Sequence, residues 1–311
     1  DDIDENRSLP KVTPSRFGKG PGVRFFPLAQ PRIAPRAISS YNNPMINIST
    51  AYPTPQHAAA AESVTDFFSH QAAVEAVLLM GSCARGKASP DSCLDILVLV
   101  RPKTLASQRR ELEALWSKRY TTSPVFQELL TVGGFSHVDL DFVDGVFNEP
   151  QHGWTSGADE FELEIGNTLA YSVALWERGG VRASYYRELQ AAWLPYYNEN
   201  LRRTRLAMVL RYCRNNLAHI PLYAPRGLHF QCFKRFYHAF EEFLQALFLS
   251  RSTYPIAYDK WVKEGVVELL GLPELYARLP HLFELGNFES DEIVSKGRQL
   301  EDLIHEYIEE N

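Results

Sequence analysis

The stretch that decides the fold is VEAVLLMGSCARGKASPDSCLDILVLV, residues 74–100. The apolar runs at its two ends have the length and composition of buried β-strands. Between them lie the turn Gly81-Ser82, a few small residues and the polar link at 89–92. Because this link is too short for an ordinary crossover helix, we predict a short helix over 82–86 and a nearly antiparallel second strand.

Three residues of this stretch indicate a chemistry. Gly81 has no Cβ, so its backbone can approach a ligand closely. The hydroxyl of Ser82 and the amides after it can hold phosphate oxygens where a helix begins. Asp95 lies in an otherwise apolar strand, where a carboxylate is costly to bury without a cation, hydrogen bonds or water. A phosphate-binding turn followed by an in-strand carboxylate indicates metal-assisted phosphoryl chemistry.

The segments GSCARG and SCLDI, residues 81–86 and 92–96, resemble the signature of the DNA polymerase β-like nucleotidyltransferase superfamily. They are most similar to its small and aminoglycoside nucleotidyltransferases. That signature is Gly-Ser, a spacer, Asp-x-Asp on the next strand and a third carboxylate from a later strand. In this chain Cys93 stands where the first Asp is expected. The resemblance implies an α+β fold, with a mixed β-sheet and flanking helices followed by an α-helical bundle.

The third carboxylate has two candidates in the segment HVDLDFV, residues 137–143. Its strict alternation predicts a strand with the apolar residues on one face and Asp139 and Asp141 on the other. The sequence does not choose between these two residues. With Asp95, either gives two carboxylates, which is enough for one Mg²⁺ ion if substrate phosphates supply further ligands.

Cys93 has three interpretations. It is a thiolate metal ligand, although Mg²⁺ prefers hard oxygen ligands to soft sulfur. It marks a degenerate site that is retained for binding without catalysis. Or Asp91, two residues earlier, replaces the missing carboxylate if its loop bends inward.

The resemblance implies that Gly81 and Ser82 bind the nucleotide. Arg85 suits a triphosphate contact because its guanidinium has a fixed charge and a two-pronged geometry, and a surface arginine is the alternative. The segment YPIAYDKW, residues 254–261, resembles part of the helical C-terminal halves of aminoglycoside-type enzymes. Lys260 in that segment is a candidate phosphate contact across a cleft, with a solvated lysine as the alternative.

The reaction that the resemblance implies is transfer of a nucleoside monophosphate from an NTP, such as ATP, to a hydroxyl of a small molecule. Mg²⁺ is the expected cofactor, and an aminoglycoside acceptor is an analogy from the family. A strand carboxylate takes the acceptor's proton, or else Glu162 or Glu164 does. These two belong to residues 161–167, whose alternation predicts a further strand or a helix edge.

Two other functions stay open. A degenerate, non-enzymatic module would bind a nucleotide or a partner protein, as an antitoxin does, and Cys93 favours it. The segment RNNLAH, Arg214 to His219, resembles the ribonuclease motif of HEPN helical domains. On a helix its two end residues are neighbours only loosely.

The composition narrows the class of protein. A net charge of −6 and a pI near 5.9 argue against binding nucleic acid mainly by charge. The four cysteines form no Cys-x-x-Cys pair, so a reducing cytoplasm is the simplest compartment. The sequence has no apolar run of membrane-spanning length and no signal-peptide core at its start.

The chain divides into three predicted parts. Residues 1–44, rich in Pro, Arg and Ser, predict an extended or disordered arm. Residues 45–180 form the nucleotidyltransferase-like domain, which includes a helix over 56–71. Residues 181–311 form a helical bundle, with apolar spacing that predicts helices over 185–193, 199–220, 228–250, 257–270 and 290–310.

Overall fold

The computed structural model describes residues 51–149, 157–181 and 184–309. All of them belong to one compact unit of the chain. The predicted arm at residues 1–44 lies outside the described residues, and the boundary near residue 180 stays a prediction. None of the helices described in these ranges is long and apolar enough to cross a membrane.

The first half of the unit is built around a four-stranded sheet. Its strands are β1 (Val74–Leu79), β2 (Leu94–Val100), β3 (Val138–Val143) and β4 (Val173–Glu177). Their order across the sheet is β3-β2-β1-β4. Strand β1 is antiparallel to both β2 and β4, whereas β2 and β3 are parallel. The structure therefore confirms the mixed sheet and the antiparallel return of β2.

The described helices surround this sheet and continue beyond it. They are α1 (Pro55–Ser69), α2 (Gly81–Ala84), α3 (Pro102–Thr122), α4 (Pro124–Leu130), α5 (Phe161–Ile165), α6 (Tyr185–Trp193), α7 (Glu199–Tyr223), α8 (His229–Ser250), α9 (Pro273–Arg278) and α10 (Glu292–Ile304). Helices α3 and α4 make the crossover that the parallel pair β2-β3 requires. Within the described ranges, three π-helical turns lie at Gly166–Ala170, Glu264–Leu269 and His305–Glu309.

Both faces of β1 and β2 are buried, which explains why these strands are continuous apolar runs. One face packs on α1, α3 and α4 through residues such as Leu79 and Ile96. The other face, which includes Leu97 and Leu99, packs on the helices that follow the sheet. Asp95 lies two and four residues before Leu97 and Leu99 on β2, so its side chain is on the same face as theirs. This face is covered by the helices that follow the sheet, which we call the helical half of the unit.

The helical half has a dense aromatic core. Helix α7 packs against α8. Phe236, Phe240, Phe243 and Phe248 of α8 are all buried. The aromatic stripe of α8 is therefore core, and the α+β fold with a helical C-terminal region is confirmed.

Residues 161–167 form α5 and the start of a π-helical turn, so the structure has the helix of the two predicted alternatives and not the strand. One predicted element is wrong. In the predicted helix 257–270, residues 257–261 are irregular and only the later part is helical. The buried side chains of Ile256 and Tyr258 hold that segment in an irregular path, which overrides its helix propensity.

Glu242 of α8 is a fully buried carboxyl. Asn216 of α7 donates from Nδ2 to its Oε2 at 2.8 Å. Its Oε1 has no hydrogen-bond partner within the described part of the chain. Burial raises the pKa of this carboxyl from 4.5 to about 8, against a lowering by the Asn216 hydrogen bond. The folded chain therefore keeps a proton that the unfolded chain loses over this pH range.

We expect Glu242→Gln to remove a pH-dependent loss of stability. In the wild type, stability falls as the pH rises from 4.5 to about 8, because only the unfolded state ionises freely. By denaturant unfolding, the variant should match the wild type near about pH 5 and exceed it by roughly 3–5 kcal/mol near about pH 8.5. The exposed Glu111→Gln is the control, and an unchanged pH profile in Glu242→Gln would contradict the account.

Candidate functional site

The turn at Gly81 is built against the side chain of Asp95. Gly81 has a left-handed φ of +66°. A Cβ on it would lie 2.0 Å from Oδ2 of Asp95. The amide of Met80 donates to the carbonyl of Asp95 at 3.0 Å. Both the backbone conformation and the close approach therefore require glycine, and the carboxylate lies on the turn that carries Ser82.

The register of β2 and β3 selects among the candidate carboxylates. Asp95 is paired with Asp139, and Leu97 is paired with Asp141. Paired residues on parallel strands project to the same sheet face, so Asp95 and Asp139 lie side by side. Asp141 lies on the same face, about 6–7 Å farther along the strand and away from the turn. The structure thus brings Asp139, rather than Asp141, next to Asp95.

Asp95 has an acidic and partly desolvated environment. Burial raises the pKa of its carboxyl, and the neighbouring Asp139 also raises it. The hydrogen bond from Cys93 and the charges of Lys260 and His137 lower it. Lys260 belongs to the helical half and is exposed, with its Nζ 5.7 Å from the ring centroid of Trp261. Asp95 and Asp139 thus lie side by side, and Lys260 is near enough for its charge to act on Asp95.

The thiol of Cys93 donates to Oδ1 of Asp95 at 3.0 Å. Burial raises its pKa to about 12, and the neighbouring Asp95 contributes. The group is therefore a protonated thiol near neutral pH, whereas a metal ligand must be a thiolate. This contact disfavours Cys93 as a metal ligand and gives it the role of a hydrogen-bond donor to Asp95.

Asp91 does not replace the missing carboxylate, so that alternative is wrong. Its Oδ1 accepts a hydrogen bond from the amide of Gly134 at 3.2 Å. A Cβ on Gly133 would lie 2.2 Å from the same oxygen. The side chain therefore turns toward the loop before β3, where the amide of Gly134 hydrogen-bonds it.

Residues 62–130 match the family model for polymerase beta nucleotidyltransferases. This segment belongs to the DNA polymerase β-like nucleotidyltransferase superfamily. It contains Gly81, Ser82, Arg85 and Asp95, whereas β3 and Lys260 lie beyond it. No curated protein matches the chain. The predicted family is confirmed over the segment that carries the Gly-Ser turn.

Arg85 of this nucleotidyltransferase segment lies in a buried ion pair. Its Nε donates to Oε1 of Glu264 at 2.9 Å, and its Nη1 donates to the carbonyl of Gly81 at 3.0 Å. The guanidinium lies over the ring of Trp261, 5.1 Å from its centroid. Nothing in the sequence indicates this pairing. A phosphate contact by Arg85 stays a prediction.

Glu162 of α5 is fully buried. It accepts hydrogen bonds from Nε of Arg205 at 2.5 Å and from the hydroxyl of Tyr197 at 2.5 Å. Nε2 of Gln245 donates to its other oxygen at 2.9 Å. A carboxylate that is fully buried and holds these partners is not placed to take a proton from an acceptor, so the prediction of Glu162 as that base is wrong. Glu164 stays a prediction.

The two residues of the ribonuclease-like motif have separate partners. Arg214 donates to Glu301 and to Glu309, at 2.8 Å in both cases. Nδ1 of His219 hydrogen-bonds the carbonyl of Asn215 at 2.7 Å. The contacts of Arg214 join α7 to the C-terminal residues, whereas the contact of His219 stays within α7. Neither adds anything to the ribonuclease alternative.

Two neighbouring carboxylates, one of them adjacent to Lys260 in the sequence, were missed from the sequence. Asp259 immediately precedes Lys260, and Glu241 lies on α8. Burial and the neighbouring Asp259 raise the pKa of Glu241 to about 7. The only sequence signal was the position of Asp259 beside a candidate residue.

We expect Gly81→Ala to destabilise the chain more than Gly271→Ala. Both glycines have a φ of +66°, but a Cβ on Gly271 meets nothing within 4 Å. Each alanine carries a left-handed backbone cost of about 1–2 kcal/mol. Only Gly81→Ala also displaces Asp95, which we expect to add at least about 1 kcal/mol in denaturant unfolding. Equal losses in the two variants would contradict this geometry.

Proposed function

We propose that this protein is a Mg²⁺-dependent nucleotidyltransferase that moves a nucleoside monophosphate from an NTP to a hydroxyl of a small molecule. The observation that carries the proposal is the pairing of Asp95 with Asp139 beside the Gly81-Ser82 turn. Side-by-side carboxylates next to a phosphate-binding turn suit phosphoryl transfer, which depends on positioning and charge stabilisation. The family of residues 62–130 supports the same class of reaction.

The candidate metal ligands of the chain supply part of the coordination that Mg²⁺ requires. Asp95 and Asp139 offer carboxylate oxygens, the hard ligands that Mg²⁺ prefers, and NTP phosphates commonly supply others. Among the described residues, no three His, Cys, Asp or Glu side chains are grouped so as to hold a metal ion. We therefore propose that Asp95 and Asp139 hold the ion together with the nucleotide. When bound, the ion offsets negative charge on the phosphates.

We assign roles to the remaining candidate residues from where each one lies in the fold. Ser82 and the amides after it hold the β- and γ-phosphates of the nucleotide. The ammonium of Lys260 is a compact charge that contacts the phosphates from the helical half. Asp141, on the same sheet face beyond Asp139, accepts the proton of the acceptor hydroxyl.

The acceptor we propose is a cationic small molecule, as an aminoglycoside is. Glu241 and Asp259 lie close enough for one to raise the pKa of the other. A bound amine would stabilise the ionised form of both carboxylates. Asp259 is adjacent to Lys260, so this acidic pair lies beside the proposed nucleotide site.

A degenerate module that binds a nucleotide or a partner protein is the second candidate. Cys93 favours it, because the first carboxylate of the Asp-x-Asp pair is absent and a protonated thiol takes its place. Such a module would bind a nucleotide without catalysing transfer, or would have lost both nucleotide binding and catalysis.

The test of binding is thermal unfolding with each NTP, with and without Mg²⁺. A ligand at about a hundred times its Kd stabilises the folded state by roughly 2.7 kcal/mol, so we expect the Tm to rise by a few degrees. The rise should require Mg²⁺ and vanish in Asp95→Asn, while the exposed Asp91→Asn serves as the control. No Mg²⁺-dependent rise with any NTP would refute the proposed nucleotide site.

Cys93→Asp tests whether the thiol limits catalysis. The variant restores the Asp-x-Asp pair, so we expect at least about tenfold faster transfer of an α-³²P-labelled nucleotide to aminoglycoside acceptors, because a third carboxylate beside Asp95 and Asp139 holds the metal more completely and stabilises more transition-state charge. A wild type that binds NTP and yields no labelled product, with Cys93→Asp equally inactive, would support the binding module instead.

A further inference from the structure

The Arg85–Glu264 ion pair joins two segments that lie 179 residues apart in the sequence. The two side chains are only 2% and 6% exposed. Arg85 also donates to the carbonyl of Gly81. Glu264 comes four residues after Lys260. This buried ion pair therefore connects the Gly81-Ser82 turn with the segment that carries Lys260, beside the contact of Arg85 with the ring of Trp261.

This pair is poorly suited to add stability. Nη2 of Arg85 and Oε2 of Glu264 are buried and have no hydrogen-bond partner among the described residues. The desolvation of a buried ion pair offsets most of its attraction unless the remaining polar atoms are also satisfied. The same pair resists separation, because removing one partner leaves the other charge buried and unpaired. Its physical effect is to hold two segments at a fixed distance.

The segment that carries Lys260 depends on such contacts. Residues 257–261 lie outside the helices and strands. On their N-terminal side, the hydroxyl of Tyr171 donates to the carbonyl of Tyr254 at 2.5 Å, and Asn167 donates to the carbonyl of Ile256 at 3.3 Å. On their C-terminal side stands Glu264. The position of Lys260 therefore depends on contacts on both sides of its segment, and not on the hydrogen bonds of a helix or a strand.

We propose that Arg85 is a positioning residue, which holds Lys260 opposite Asp95 through its ion pair with Glu264. Arg85 acts on the nucleotide through Lys260 and does not contact phosphate itself. The binding test below rests on the proposed nucleotide site, whereas the exchange test does not.

The binding test is a double-mutant cycle on Mg²⁺-NTP affinity, measured by calorimetry. Arg85→Met and Lys260→Met should each raise the Kd about tenfold, and the double variant should be no weaker than either single variant. A direct phosphate contact by Arg85 predicts instead that the losses multiply to about a hundredfold, which would overturn the proposal.

The control is Lys87→Met. Lys87 and Glu268 join the same two segments through an ion pair of 3.0 Å, but their side chains are 40% and 52% exposed. Exposed pairs contribute little. We therefore expect wild-type affinity, and a loss equal to that of Arg85→Met would overturn the proposal.

The exchange test measures the position of the segment without nucleotide. In Arg85→Met and in the isosteric Glu264→Gln, hydrogen exchange should accelerate about tenfold in peptides that contain the amides of Gly265 and Leu270, which donate to the carbonyls of Trp261 and Gly265. Peptides of α8 should keep wild-type rates. Unchanged exchange at Gly265 and Leu270, or equal acceleration in α8, would overturn the proposal. A wild type that binds no NTP but shows this pattern would refute the nucleotide site alone.

Discussion

The proposed site depends on one close approach, between the carboxylate of Asp95 and the backbone of Gly81. No side chain larger than hydrogen fits there, since a Cβ would lie 2.0 Å from Oδ2. The approach sets Asp95 against the turn that carries Ser82. The pairing of β2 with β3 then adds Asp139 on the same sheet face. Two features, a glycine and a strand register, thus assemble the polar groups of one site.

The helical half completes the site from across the sheet face. The face of β2 that carries Asp95 is otherwise apolar and packs on the helices that follow the sheet. Lys260 reaches this region from an irregular segment, and its charge lowers the pKa of Asp95. A lysine in an irregular segment can offset the negative charge of the carboxylates, because its backbone does not have to fit the packing of a helix. The cost is that its position depends on buried contacts such as Arg85–Glu264.

The sequence was sufficient to predict the elements whose pattern lies within a few neighbouring residues. Strands β1, β2 and β3 follow from apolar runs and alternation, and the turn follows from Gly81. What was missed depends on contacts between distant residues. Nothing near Arg85 indicates a partner 179 residues away. The choice of Asp139 over Asp141 required the register of β2 and β3, which alternation alone does not contain. Residues 257–261 have helical composition, but buried side chains and the Glu264 contact determine their path.

Cys93 is where the segment at residues 62–130 departs from the signature of the family that it matches. Its thiol donates to Asp95 and so occupies one of the oxygens that a metal ion would use. The most direct measurement is a crystal structure with Mn²⁺ and a non-hydrolysable NTP. The account predicts an anomalous Mn²⁺ peak between Asp95 and Asp139, with the phosphates on Ser82 and Lys260. A nucleotide bound elsewhere, or no Mn²⁺ at these carboxylates at saturating nucleotide, would contradict it.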